Sequence, residues 1–152
     1  MHLAIIAVGR MKPGPEKQQT ETYLRRCPWP VKIIEVEERR RITGPERLSR
    51  EGDLILKQLA DNAYVIALDE RGKSLRSTDF AKVIRDHQDR GTANLTFLIG
   101  GADGYAPQVR KRADLLLSLG SMTWPHMMAR VMLMEQLYRA SCILSGHPYH
   151  KD

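Results

Sequence analysis

This chain predicts an α/β fold, a parallel sheet with flanking helices, on three observations. Short apolar runs rich in β-branched residues alternate with longer amphipathic segments, as strands alternate with crossover helices. Turn-forming residues punctuate the alternation at Gly9, at Pro13-Gly14-Pro15 and at Gly146-His147-Pro148, and no internal repeat or low-complexity stretch breaks it. A length of 152 residues buries one substantial core and is too short for two, so residues 1–152 read as a single domain.

Residues 3–8 form the first strand, stopped by Gly9, and a helix carrying Glu16, Tyr23 and Leu24 follows. Residues 31–36 form the second strand. Leu48, Ile55 and Leu59 recur at helical spacing, which predicts a helix over 45–59. Residues 64–68 are the third strand, ending in Asp69. Ser77 or Thr78 caps the next helix, with Phe80, Val83 and Ile84 on its buried face. The fourth strand, 95–99, runs straight into Gly100-Gly101-Ala102-Asp103-Gly104. A helix beginning near Pro107 leads to a fifth strand over 115–119.

The last helix takes Thr123 as its N-cap, has Pro125 close to its first turn and stops at Gly146-His147-Pro148. Met128, Val131, Met132, Leu133, Met134, Leu137, Ile143 and Leu144 cover most of its circumference, more than packing on one sheet face requires. The surplus predicts a homodimer interface; full burial within one subunit is the alternative.

Hydrophobic content of 42% and charged content of 28% are ordinary for a folded protein. The longest apolar runs fall far short of the roughly 20 residues that span a bilayer. The N-terminus lacks a basic region, a long apolar stretch and a small-residue cleavage site. The expectation is a cytoplasmic protein with no membrane association. Cys27 and Cys142 fit neither a CxxC nor a Cys/His ligand spacing, which predicts reduced thiols and no metal. A net charge of +6 favours an acidic partner, of which nucleic acid is the commonest. The one dense charge run, 35–41, continuing to Arg47 and Arg50, reads either as a solvated loop or as a phosphate contact.

Gly100-Gly101 lets backbone approach a ligand where a Cβ would collide, although a tight strand-to-helix turn uses the same residues. The loop follows a late strand, lacks GxGxxG spacing and has no Walker lysine, so dinucleotide and P-loop chemistries lose support. Ligands of parallel sheets gather beyond the carboxyl ends of strands. The ends at Leu68-Asp69, at Ile99-Gly100-Gly101 and over 119–124 therefore make a candidate pocket. In the last helix Glu135 and Arg139 form an i,i+4 pair in the favourable order, while Arg130 needs a carboxylate from a partner subunit or an RNA phosphate. His126 in the first turn caps or packs. His147, Tyr149 and His150, beyond the helix stop, are poor core residues and good reagents.

The fourth-strand end Leu98-Ile99-Gly100-Gly101 with Gly104, the run Leu117-Ser118-Leu119 with Met122-Thr123 and Pro125-His126, then Arg130, Glu135-Gln136, Tyr138-Arg139-Ala140 and the ending His147-Pro148-Tyr149-His150-Lys151 closely resemble the RlmH family. These are SPOUT-class methyltransferases acting on N3 of a pseudouridine in bacterial large-subunit (23S) ribosomal RNA. Ala7-Val8-Gly9 and Tyr23-Leu24-Arg25-Arg26 extend the likeness across the chain. The resemblance implies a parallel sheet with a C-terminal trefoil knot, a homodimer, and S-adenosyl-L-methionine held in the knot. It places cofactor contacts on Leu68, Gly100, Leu119, Gly120, Ser121, Met122, Thr123 and Trp124. Gly120 departs from the Ser or Ala common in the family, which leaves backbone rather than side-chain recognition there.

A sulfonium already activates the methyl group, so such an enzyme aligns the acceptor and lets N3 lose its proton, with no metal and no covalent intermediate. Arg130, Arg139, His147, Tyr149 and His150 are the expected catalytic set, acting partly across the dimer, on a base taken out of its stack. With no separate RNA-binding module, recognition is expected to depend on the shape of an assembled ribosomal particle. The residues alone leave open another rRNA or tRNA base as target, or a non-catalytic nucleotide- or RNA-binding module.

Overall fold

The computed structural model describes residues 1–151. The elements are β1 (His2–Val8), α1 (Pro15–Arg26), β2 (Val31–Val36), α2 (Gly44–Gln58), β3 (Ala63–Ser74), α3 (Ser77–Asp89), β4 (Asn94–Ile99), α4 (Pro107–Arg112), β5 (Leu115–Ser118) and α5 (His126–Ser145). Every strand pair is parallel, in the order β2-β1-β4-β3-β5. The expected α/β architecture is what forms.

Strands covered on both faces carry apolar side chains at successive positions, and here they feed two cores. Leu3, Ile5, Ile66, Leu95 and Phe97 face α1, α3 and α5, whose Phe80, Ile84, Leu133, Met134 and Leu137 complete one core. Ile6, Val8, Val65 and Leu98 face the other way and pack with Ile55 of α2 and Val109 of α4. Each fully buried side chain of this size contributes about 1.5–3 kcal/mol. Helix α5 packs against both α1 and α3. Cys27 and Cys142 are buried and unbonded.

Four boundaries differ from expectation. Neither Ser77 nor Thr78 caps α3: Arg76 holds that position, and the Ser77 hydroxyl donates instead to Gln136 Oε1 of α5 at 2.7 Å. Thr123 does not cap α5, which starts at His126 behind Pro125. The third strand does not end at Leu68-Asp69. Leu117 is the register partner of both Leu68 and Lys73, so residues 69–72 bulge out of the ladder and the strand resumes to Ser74. Gly72 permits this crossing, since a Cβ there would lie 2.5 Å from the Leu116 carbonyl carbon and oxygen. Periodicity stops at a bulge, which is why the continuation was hidden. The fifth strand likewise ends at Ser118, one residue early.

Candidate functional site

Because β4, β3 and β5 are neighbours, the carboxyl ends of β4 and β5 and the bulge of β3 open together on a crevice of about 790 Å³ lined by residues 68–71, 99–105 and 122–126, with Leu117, Leu119, Gly120, Arg110 and Ala129. Leu68, Gly100, Leu119, Gly120, Met122, Thr123 and Trp124 all line it; exposed Ser121 does not.

Each wall is held by hydrogen bonds. The buried Tyr105 hydroxyl donates to the Leu98 carbonyl at 2.8 Å and accepts from the Gly100 N–H at 3.0 Å, fixing the glycine loop. Burial pushes this phenol well above its usual pKa, so it stays neutral. A Cβ on Gly100 would come within 3.0 Å of the Gly104 carbonyl oxygen, and one on Gly101 within 3.2 Å of Val8. The glycines thus relieve tight contacts within the loop's own packing. On the opposite wall the Ser118 hydroxyl accepts from the Gly120 N–H at 3.1 Å and lies 3.1 Å from the Glu70 carbonyl it can donate to. Gly120 has φ +114°, a conformation L side chains rarely adopt, with open space where a Cβ would be. The Trp124 indole N–H donates to the Leu119 carbonyl at 3.3 Å. Asp69, its side chain 5% exposed, pairs with Arg110 at 2.8 Å and Arg71 at 3.3 Å. Tyr105 and Arg110 carried no role in the sequence reading, while Asp69 was read as part of a pocket-forming strand end and Ser118 as part of the family run, neither with a hydrogen-bonding or ion-pairing role.

The tail is organised by Glu135. Its carboxylate pairs with Arg139 at 2.6 Å and accepts the Tyr149 hydroxyl at 2.9 Å. The Arg139 guanidinium lies 4.7 Å from the centre of the Tyr149 ring, and its Nη1 is 3.3 Å from His150 Nδ1. Burial first, and then the Glu135 carboxylate, raise the Tyr149 phenol well above its ordinary pKa. His147 is exposed, its Nδ1 accepting the Tyr149 N–H at 3.2 Å. The fold thus brings Arg139, Tyr149 and His150 together around a residue that sequence had offered only as an ion-pair partner. None of the tail residues lines the crevice of its own chain. Glu135 instead borders a second groove, about 740 Å³, between α1 and α5, which shares Leu117, Leu119 and Gly120 with the crevice.

Arg130 stands apart and corrects the expectation. It is 1% exposed, pairs with Glu35 of β2 in its own chain and donates to the Gly9 carbonyl at 3.2 Å. It is a buried tie between β1, β2 and α5, its two terminal nitrogens held within the chain while Nε has no hydrogen-bond partner among the described residues. Glu35 also accepts the Met11 N–H at 2.7 Å. Burial alone would raise the Glu35 pKa, but that hydrogen bond and Arg130 outweigh it and hold the carboxyl below its usual range.

The fold agrees with the comparisons. The chain belongs to the SPOUT methyltransferase family: the model described as "Predicted SPOUT methyltransferase" matches residues 1–150. Among its relatives, the protein named ribosomal RNA large subunit methyltransferase H of Paramagnetospirillum magneticum is 52% identical over 151 residues, 99% of each chain. Proteins of the same name from Rhodospirillum centenum and Allorhizobium ampelinum are each 50% identical, over 99% and 100% of both chains. Of solved structures, a probable methyltransferase from Bordetella pertussis superposes with TM-score 0.63 at 13% identity, covering 92% of this chain and 94% of its own. A probable methylase family protein from Haemophilus influenzae gives 0.60 at 10% identity, covering 99% and 70%. At such identities they share the fold alone.

Proposed function

We propose that this chain is the S-adenosyl-L-methionine-dependent methyltransferase that modifies N3 of a pseudouridine in the 23S RNA of the large ribosomal subunit, working as a cytoplasmic homodimer on an assembled ribosomal particle. The observation that carries it is the convergence of seven of the eight expected donor contacts on one crevice. Leu68, Leu119, Met122 and Trp124 supply apolar surface there, and the backbone of Gly100 and Gly120 supplies close polar contact, a mixture suited to a nucleoside with a charged tail. When bound, the donor supplies a methyl group activated by a sulfonium. The C-terminal trefoil knot belongs to the same reading and is supported by the chain's membership of the SPOUT family. Among the described residues there is no cluster of metal-ligating side chains, and no helix is long and apolar enough to cross a membrane.

The tail's place supports action across a dimer. Met128, 43% exposed, with Val131 and Met132, leaves apolar surface of α5 facing the groove beside Glu135. Docking two copies through this groove buries that surface and brings the tail of one protomer to the crevice of its partner. There Arg139 stabilises the negative charge that develops as N3 loses its proton, and the neutral Tyr149 phenol and the His147 and His150 imidazoles position the base. Calorimetry should detect specific binding of S-adenosylmethionine. Mass spectrometry of 23S RNA from a deletion strain should reveal one missing methyl group on one pseudouridine, restored by the gene. Loss of a methyl group from tRNA or from another rRNA base refutes the proposed target, and absence of donor binding refutes the enzyme assignment. Efficient methylation of a short free hairpin argues against recognition of an assembled particle.

A further inference from the structure

The cationic stretch that runs from the β2–α2 connection into the first turns of α2 lines neither cavity, yet it lies on the crevice's side of the sheet. In an all-parallel sheet the connection after β2 leaves from the same edge as those after β3, β4 and β5. Between Glu37 and Arg50 this segment holds five arginines against three glutamates. Two arginines are answered locally: Arg40 by Glu38, and Arg47 by Glu51 at 3.0 Å. The side chains of Arg39, Arg41 and Arg50 are exposed and enter no ion pair or hydrogen bond among the described residues.

Glu51 joins this cationic ridge to the crevice. It is 7% exposed, and its Oε2 lies 3.7 Å from where a Cβ on Gly101 would sit, so the helix turn that carries Arg47 and Arg50 packs against the glycine loop. The next residue, Gly52, leaves room for a Cβ only 2.9 Å from Gln108, so α2 and α4 are packed closely behind that loop. The α2 part of the ridge is thus held at a set place beside the glycine loop of the crevice, and the connection that carries Arg39 and Arg41 leads into it.

We propose that Arg39, Arg41 and Arg50 grip the RNA phosphate backbone flanking the base that enters the crevice. The inference rests on the proposed rRNA methyltransferase function and adds to it the surface that holds the substrate. A base cannot reach the donor without bringing its own phosphates past the rim. Exposed guanidinium groups with no protein partner are free to take those phosphates, releasing counterions as they do. Being sequence-independent, such contacts hold the register of the RNA and leave selection of the base to the crevice.

The test compares the full-length protein with the triple variant R39A/R41A/R50A and its charge-retaining counterpart R39K/R41K/R50K, using unmethylated ribosomal particles at several salt concentrations. The alanine variant should bind S-adenosylmethionine as the parent does and keep its kcat. Its KM for the particle should rise about tenfold near 0.1 M salt, and the slope of log affinity against log salt should flatten by about 2–3. The lysine variant should retain most of the parent's slope, because a phosphate contact survives as a point charge. If the parent methylates the particle and the alanine variant matches it in KM and salt slope, the ridge is refuted while the enzyme assignment stands. If the parent leaves the particle unmethylated, the proposed substrate falls and the ridge with it.

Discussion

Arg130→Ala separates a buried tie from a substrate contact. The guanidinium is 1% exposed and holds Glu35 and the Gly9 carbonyl. The substitution removes two buried methylenes at about 0.8 kcal/mol each. The Gly9 carbonyl loses a hydrogen bond that contributes about 1 kcal/mol. Glu35 has a 36% exposed side chain and can rehydrate, so its share of the ion pair counts at the surface value of about 1 kcal/mol rather than the several of a fully buried pair. Together the loss is about 3–4 kcal/mol. For a chain of 152 residues that lowers Tm by about 6–16 °C. Urea and thermal melts should be run at one protein concentration, because dimerisation would otherwise contribute. A double-mutant cycle with Glu35→Gln should return a coupling of about 1 kcal/mol. Below its melting range the variant should bind S-adenosylmethionine and methylate at close to the parental rate. A variant as stable as the parent but inactive would refute this account and return Arg130 to the substrate.

Gly72→Ala forces a Cβ onto the Leu116 backbone, which cannot swing aside as a flexible side chain would, so melts should show a loss of at least about 2 kcal/mol. Tyr149→Phe and His150→Ala should each lower methylation about tenfold or more while calorimetry finds S-adenosylmethionine affinity unchanged; full activity in both would remove the tail from the site. Glu35 is held below its usual 4.5, so its stabilising contribution is complete above about pH 4.5 and is lost as pH falls through the lower folded-state value. Urea midpoints between about pH 6 and pH 3 should therefore drop less steeply in Glu35→Gln than in the parent.

The one-dimensional pattern determined the parallel α/β class, the order of five strands and five helices, and a pocket at the ends of β4 and β5 beside Leu68-Asp69, because burial on both faces of a sheet and glycine- or proline-marked ends write themselves into neighbouring residues. Residues 119–124 were legible as pocket candidates for the same reason: they follow a strand end directly. Tertiary structure decided what depends on atoms distant in the chain. The bulge at 69–72 is set by β5, the partner of Arg130 sits 95 residues away on β2, and Glu35 carried no mark of that role. Glu135 became the centre of the tail because the Gly146 turn, at φ +74°, folds Tyr149 and His150 back along α5. Local periodicity reports which face of an element is buried; which groups meet across elements is settled only when packing and charge are satisfied together in three dimensions.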